Sequence, residues 1–199
     1  MSMEEPMGSK LLGVVCGIPE GRTVRIIFLD FDGVLNSHDF MRRVPQRGIC
    51  GIDPLAAARL NYLVEATDAR VVVSSSWRHS RSVDELAKIL RAAGFMHGVV
   101  GKTPDFAVKG DGGLWHGAMR GHEIQTWLNL APNFDVNVDS FVILDDDSDM
   151  DHLAHRHVKT MVEHGLTDAD VDRAIHLFNT AEPVVALADH FPGDIRFTP

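Results

Sequence analysis

Asp30 and Asp32 stand two residues apart at the end of an apolar run, Val24–Leu29, and Gly33 follows at once. A carboxylate held at a strand end can attack phosphorus and carry the phosphoryl group as an acyl phosphate, splitting one difficult hydrolysis into two easier steps. A second carboxyl two positions on, where the backbone has just left the strand, can protonate the leaving oxygen and later activate the water. Glycine at 33 lets the chain turn sharply beside the substrate. Two further polar clusters follow apolar runs in the same way: Ser74–Ser76 after Val71–Val73, and Asp145–Asp147 after Phe141–Leu144. In an open parallel sheet the carboxyl ends of the strands line the ligand crevice, so the three clusters can converge. Crowded carboxylates repel one another, and their hard oxygens suit Mg²⁺. The Ser74 hydroxyl and neighbouring N–H groups would hold the phosphoryl oxygens, with Ser75 as the next choice. A cation from another element must offset the charge of the group in transfer.

The elements that must position these residues can be read from pattern. Val24–Leu29, Val71–Val73 and Phe141–Leu144 are near-continuous apolar runs, as expected of strands buried on both faces. Asp53-Pro54 starts a helix, with Asp as N-cap and Pro at the first helical position. Leu55, Ala58, Tyr62, Leu63 and Ala66 are expected on its inner face. Ser82 and Glu85 make a capping box, ahead of a stripe of Leu86, Ile89, Leu90 and Ala93 that Gly94 ends. A short strand is expected near Val99–Val100, and residues 102–119 read as a glycine-rich, irregular loop around the site. Arg120–Leu130 resumes a helix facing inward through Ile124, Trp127 and Leu128. Thr167 caps a last helix striped by Val171, Ala174, Ile175 and Phe178. This alternation argues for a three-layer α/β fold with a mainly parallel central sheet. Residues 1–21, punctuated by Pro and Gly, read as a partly ordered lead-in, and residues 22–199 as a single domain without internal repeats.

Bulk composition narrows the partners. The chain has 199 residues, enough for its own core, with 28 acidic against 19 basic residues and a formal charge of −9. A chain relying on bulk attraction to nucleic acid usually carries the opposite sign, so a polyanionic substrate would need a local basic patch. Arg42, Arg43 and Arg47 could form one beside the leaving group, or lie on a solvated loop. Cys16 and Cys50 read as free thiols. The first residues lack the pattern of a signal peptide, and no run approaches the ~20 apolar residues of a membrane span. A cytoplasmic protein with no membrane partner is expected.

The run Phe28-Leu29-Asp30-Phe31-Asp32-Gly33-Val34-Leu35-Asn36 resembles the first signature of haloacid dehalogenase (HAD) phosphatases. Val71–Ser74 resembles the second, a strand ending in Ser or Thr, and Val142-Ile143-Leu144-Asp145-Asp146 the fourth, the acidic pair. The resemblance implies a Rossmann-like, HAD-like fold, Asp30 as nucleophile and Asp32 as acid–base. It also implies a Mg²⁺ site made by Asp30, the backbone carbonyl of Asp32, and Asp146 or Asp145. The third signature is a Lys or Arg: Arg120 is the choice and Lys102 the reserve. Ser74-Ser75-Ser76-Trp77-Arg78, Arg120-Gly-His-Glu-Ile, Leu144-Asp-Asp-Asp and Gly165-Leu-Thr are similar to the bacterial and phage branch associated with RNA repair. The gaps between signatures leave room for a minimal cap domain or none.

These expectations combine into a Mg²⁺-dependent phosphomonoester hydrolase acting through an aspartyl phosphate on a nucleic-acid end or nucleotide. The alternatives are a small-metabolite or phosphoprotein phosphatase of the same chemistry, or a non-catalytic HAD-fold binding or regulatory module. A phosphate-receiver domain fails, because its acidic pair would follow the first strand and its phosphorylated Asp a central one. Gly33, Ser75 and Arg78 are the candidate substrate contacts, with a surface salt bridge as the other reading of Arg78. Trp77 reads as a core or lid residue, and Asp149 and Asp151 as solvated acids. His152, His155 and His157 have no usual zinc spacing. His79, His116 and His122 lie near the expected site without a motif. No protein partner can be named.

Overall fold

The computed structural model describes residues 23–44, 51–106, 108–109, 115–116 and 119–180. The lead-in expected at 1–21, both cysteines and Arg47 lie outside these residues. Five strands form one parallel sheet in the order β3-β2-β1-β6-β7. They are β1 (Thr23–Leu29), β2 (Arg70–Val73), β3 (Val99–Lys102), β6 (Asn137–Asp145) and β7 (His157–Lys159). The Val/Ile/Phe-rich runs of β1, β2 and β6 are buried along nearly their whole length, because helices cover both faces.

Alternate side chains serve the two faces. Ile27, Leu29, Val71, Val73, Val142 and Leu144 pack against α2 (Pro54–Thr67), α3 (Val83–Ala92) and α5 (Asp168–Thr180). Ile26, Phe28, Val72, Phe141 and Ile143 pack on α4 (Arg120–Leu130) through Ile124 and Trp127. The helix starts are those expected. Asp53 accepts from Leu55 N, Ser82 and Glu85 form the reciprocal box, and Thr167 exchanges bonds with Asp170.

Three expectations need correction. The buried face of α2 is Ala56, Ala57, Leu60, Leu63 and Val64, while Leu55 and Tyr62 are 54% and 59% exposed. That helix carries apolar residues around most of its circumference, so spacing alone does not select the face; the small Ala56–Ala57 pair sits against the core. A six-residue helix, α1 (His38–Arg43), capped by Ser37, occupies part of the loop expected after the first motif. The stretch 102–119 contains an antiparallel pair, β4 (Val108–Lys109) with β5 (Trp115–His116).

Topology fixes where a ligand can sit. From β1 the chain builds outward through β2 and β3, then returns to the other side of β1 to lay down β6 and β7. The reversal opens the sheet's crevice at the carboxyl ends of β1 and β6, the usual ligand position in such sheets.

Candidate active site

Register brings the three polar clusters together. Leu29 pairs with Val73 on one side and Leu144 on the other. The next residue of each strand is therefore Asp30, Ser74 or Asp145, side by side at one sheet edge. The ladder continues past the strand ends, with Asp30 N donating to Leu144 O at 3.0 Å and Ser74 N to Leu29 O at 2.8 Å. These bonds fix the backbone beneath each functional side chain.

Asp30 is buried, and its Oδ1 accepts the Phe31 N–H at 2.8 Å. Burial pushes its pKa up to about 6, against the opposing pull of Arg120 and a hydrogen bond from Ser75. Asp145 is fully buried; burial and then the charge of Asp30 push it up to about 8. Asp146 is half-buried and also raised, first by burial and then by Asp147. Carboxylate oxygens of Asp30, Asp145 and Asp146 lie within 4.8 Å of one another, the one group of three candidate metal ligands among the described residues. Asp145 Oδ2 has no hydrogen bond among the described residues, although Arg120 Nε is 3.3 Å away. An orphaned carboxylate oxygen inside a hard-oxygen cluster fits a divalent cation such as Mg²⁺.

Arg120 supplies the neighbouring positive charge from the first turn of α4. Burial works against that charge, but Asp30, Asp145, Glu123 and Asp149 outweigh it and raise the pKa. Lys102 is engaged elsewhere: its Nζ donates to the carbonyls of Arg78 (3.0 Å) and Arg81 (2.8 Å).

Gly33 has φ +68, and a Cβ there would lie 2.2 Å from Asp146 Cγ. Its role in this geometry is to admit the Asp146 carboxylate. Its N–H is bonded to Asn36 and its carbonyl to Thr160 Oγ1, so neither group faces a substrate. Asp32 stands outside the acid cluster, exposed, with Oδ1 accepting from Asn36 Nδ2 at 2.7 Å and Oδ2 from Trp77 Nε1 at 2.9 Å. Ser74 is buried, and its hydroxyl has no partner among the described residues. Ser75 is spent within the protein, donating to Asp30 and accepting from Trp77 N.

Arg78 departs from the expectation of a substrate contact. It is buried, pairs with Glu123, and donates to Ser75 O at 2.8 Å and to Pro104 O at 3.3 Å. Asp149 departs as well, because its Oδ2 accepts Arg120 N at 2.8 Å and so caps α4. Local spacing could not reveal that contact, since the two residues are 29 apart in sequence. Asp151 is exposed as expected. The histidines gather no metal site among the described residues: His152 meets Gln125, His155 a backbone carbonyl, and His157 the Asp145 carbonyl. His79 pairs with Asp105, and His122 lies 5.5 Å from the Phe106 ring. The His116 side chain is outside the described residues. Arg42 and Arg43 are exposed on α1, with Arg42 paired to Asp39.

No helix among the described residues is long and apolar enough to cross a membrane. Residues 26–171 match the model of a family described as the HAD domain in Swiss Army Knife RNA repair proteins. No curated protein and no solved structure matches the chain.

Proposed function

Because the chain belongs to the family of HAD domains in Swiss Army Knife RNA repair proteins, we propose that it is a Mg²⁺-dependent phosphomonoester hydrolase that forms an aspartyl phosphate on Asp30. The observation that carries this reading is the register that sets Asp30, Ser74 and Asp145 on adjacent strand ends beside Arg120. Asp30, Asp145 and Asp146 would hold the ion, which when bound neutralises phosphate charge and lets a carboxylate approach it.

In the first step an Asp30 carboxylate oxygen attacks phosphorus, and the bond from phosphorus to the leaving oxygen breaks with its electron pair on that oxygen. Asp32 gives its proton to the leaving oxygen and becomes a carboxylate. In the second step Asp32 takes a proton from water, whose oxygen attacks phosphorus, releasing phosphate and restoring Asp30. The buried Asp30 is poised for attack only while ionised, which Arg120 and the Phe31 N–H favour. The Ser74 hydroxyl, buried without a partner among the described residues, is the donor available for a phosphoryl oxygen.

A nucleic-acid end or nucleotide is the substrate class we favour. The family's description points to RNA repair, and among the described residues between β3 and α4 only the short β4–β5 pair is present, little to enclose a small metabolite. The test is phosphate release, with and without Mg²⁺, from 3′- and 5′-phosphorylated oligonucleotides, nucleotides, sugar phosphates and phosphopeptides. Release that requires Mg²⁺ and vanishes in Asp30→Asn is expected, with oligonucleotides or nucleotides hydrolysed best. A sugar phosphate or phosphopeptide as best substrate would overturn the substrate class and keep the chemistry. No release from any compound by folded, Mg²⁺-binding protein would overturn the enzyme.

A further inference from the structure

The Asp32 carboxylate is exposed, and an unrestrained exposed side chain would sample several rotamers. It is instead gripped at both oxygens, by Asn36 Nδ2 at 2.7 Å and by Trp77 Nε1 at 2.9 Å. Asn36 is itself fixed, because its Oδ1 accepts the Gly33 N–H at 3.1 Å and its backbone bridges to Asp32. Trp77 comes from a different element, the 3₁₀ turn Ser76–Ser80 that follows the second motif. Its ring is held on several sides. It meets the Phe31 ring edge-on at 5.3 Å between centroids, and the Arg81 guanidinium lies 5.2 Å over it. A Cβ at Gly51 would come within 3.1 Å of its Cη2, and its backbone N–H is tied to Ser75 Oγ at 3.3 Å. An indole N–H is a donor only, so it orients a carboxylate without competing for the proton that carboxyl transfers.

We propose that Trp77 is a positioning residue for Asp32, holding the carboxyl group at the angle from which it protonates the leaving oxygen. The inference rests on the acid–base reading of Asp32 and adds to it the side chain that makes the geometry reproducible. A carboxylate has about four acceptor positions, so one bond to each oxygen leaves room for the leaving group and for water. Trp77 also ties the second motif to the first, since Ser75 touches Asp30 and Trp77 touches Asp32.

The test uses Trp77→Phe, which keeps an aromatic ring against Phe31 and Arg81 and removes the N–H. The readout is kcat/KM, which covers the steps through departure of the leaving group, for two phosphomonoesters differing in that group. An alkyl phosphate needs its leaving oxygen protonated, whereas an activated aryl phosphate does not. The expected result is a loss of about 10- to 100-fold on the alkyl ester, the worth of one charge-assisted hydrogen bond. The aryl ester should lose less than about threefold, the bond there having little transition-state role. Equal losses on both esters would mean that Trp77 supports the fold alone, and no loss on either would mean that it does nothing; each overturns the proposal. If the unaltered protein hydrolyses neither ester and releases phosphate from none of the oligonucleotides, nucleotides, sugar phosphates and phosphopeptides, the phosphatase reading fails on its own account. The contact is then judged by NMR. The Trp77 indole N–H resonance, assigned through Trp77→Phe, should move in Asp32→Ala and stay in Asp147→Ala; a resonance indifferent to Asp32 would overturn the contact itself.

Discussion

Arg78 and Glu123 form an ion pair inside the protein, 2% and 4% exposed, that joins the turn after β2 to the helix carrying Arg120. Glu123 also accepts the Phe106 N–H at 3.2 Å, and Arg78 donates to the carbonyls of Ser75 and Pro104. Removing one partner strands the other's charge in the interior, which costs about 3–5 kcal/mol, whereas replacing both with apolar groups is often neutral. Glu123→Ala should therefore lower unfolding stability in urea by about that amount, and Arg78→Met/Glu123→Leu should recover at least half of it. If the double variant is as unstable as the single one, the pair is not an isolated electrostatic unit.

Much of this arrangement was legible in the sequence, and the rest was hidden for identifiable reasons. The apolar runs ending in Asp30, Ser74 and Asp145 marked both the strands and the candidate site, because a strand buried on two faces has no polar alternation to blur its end. The caps at Asp53, Ser82 and Thr167 were visible because capping is local. Strand β7 was not, since His157–Lys159 carries no pattern of its own and becomes a strand only by pairing with Ile143–Asp145. Glu123 lies 45 residues from Arg78, Trp77 lies 45 from Asp32, and Asp149 lies 29 from Arg120. Spacing within one element cannot disclose such contacts, which is why the sequence leaves Arg78 between a substrate contact and a surface salt bridge and places Asp149 in solvent.

Gly33→Ala tests the closeness of the first and fourth motifs. The φ of +68 alone disfavours alanine by roughly 1–2 kcal/mol, and the added Cβ would overlap the Asp146 carboxylate. Asp146 can swing aside, so the fold should survive while the acid cluster opens. A 1 Å misplacement at a reacting centre can cost about 100-fold in rate. The variant should need more Mg²⁺ for half-maximal phosphate release and turn over more slowly at saturation. An unchanged Mg²⁺ titration would show that Asp146 does not hold the ion.

The crowded acids should make the metal-free protein less stable as pH rises. Asp30 and Asp145 have folded-state pKa values of about 6 and about 8 against an ordinary 3.8. Below 3.8 both states are protonated and nothing is lost. Between there and about 8 the unfolded chain releases these protons first, so the folded state holds more and loses stability with rising pH. Thermal unfolding without metal should show Tm falling from pH 6 to pH 8 more steeply than in Asp145→Asn, which should melt higher at pH 8. Each kcal/mol corresponds to about 2–4 °C in a chain of this size. Saturating Mg²⁺ should raise the Tm of the unaltered protein at pH 8 and reduce the contrast with Asp145→Asn.

Asp149 separates positioning of Arg120 from its charge. Helix α4 begins at Met119–Arg120 with no side-chain cap of its own, and Asp149 fills that role from across the site. Its Oδ2 takes the Arg120 N–H and its carbonyl the Gly121 N–H at 3.1 Å. Gly121 permits the approach, because a Cβ there would stand 2.3 Å from the Met150 carbonyl oxygen. Asp149→Ala removes an N-terminal cap, worth about 0.5–2 kcal/mol, and frees the turn that aims the guanidinium at Asp30 and Asp145. Asp149→Asn keeps an acceptor for the N–H and loses the negative charge that helps hold Arg120 ionised, so it should stay within about 0.5 kcal/mol of the parent in stability. The expected order in kcat/KM is parent, then Asn, then Ala, with the loss in Ala exceeding what its stability change explains. Equal activity in all three, measured where each is fully folded, would mean that Arg120 is aimed by its own ion pairs and that Asp149 serves the helix alone.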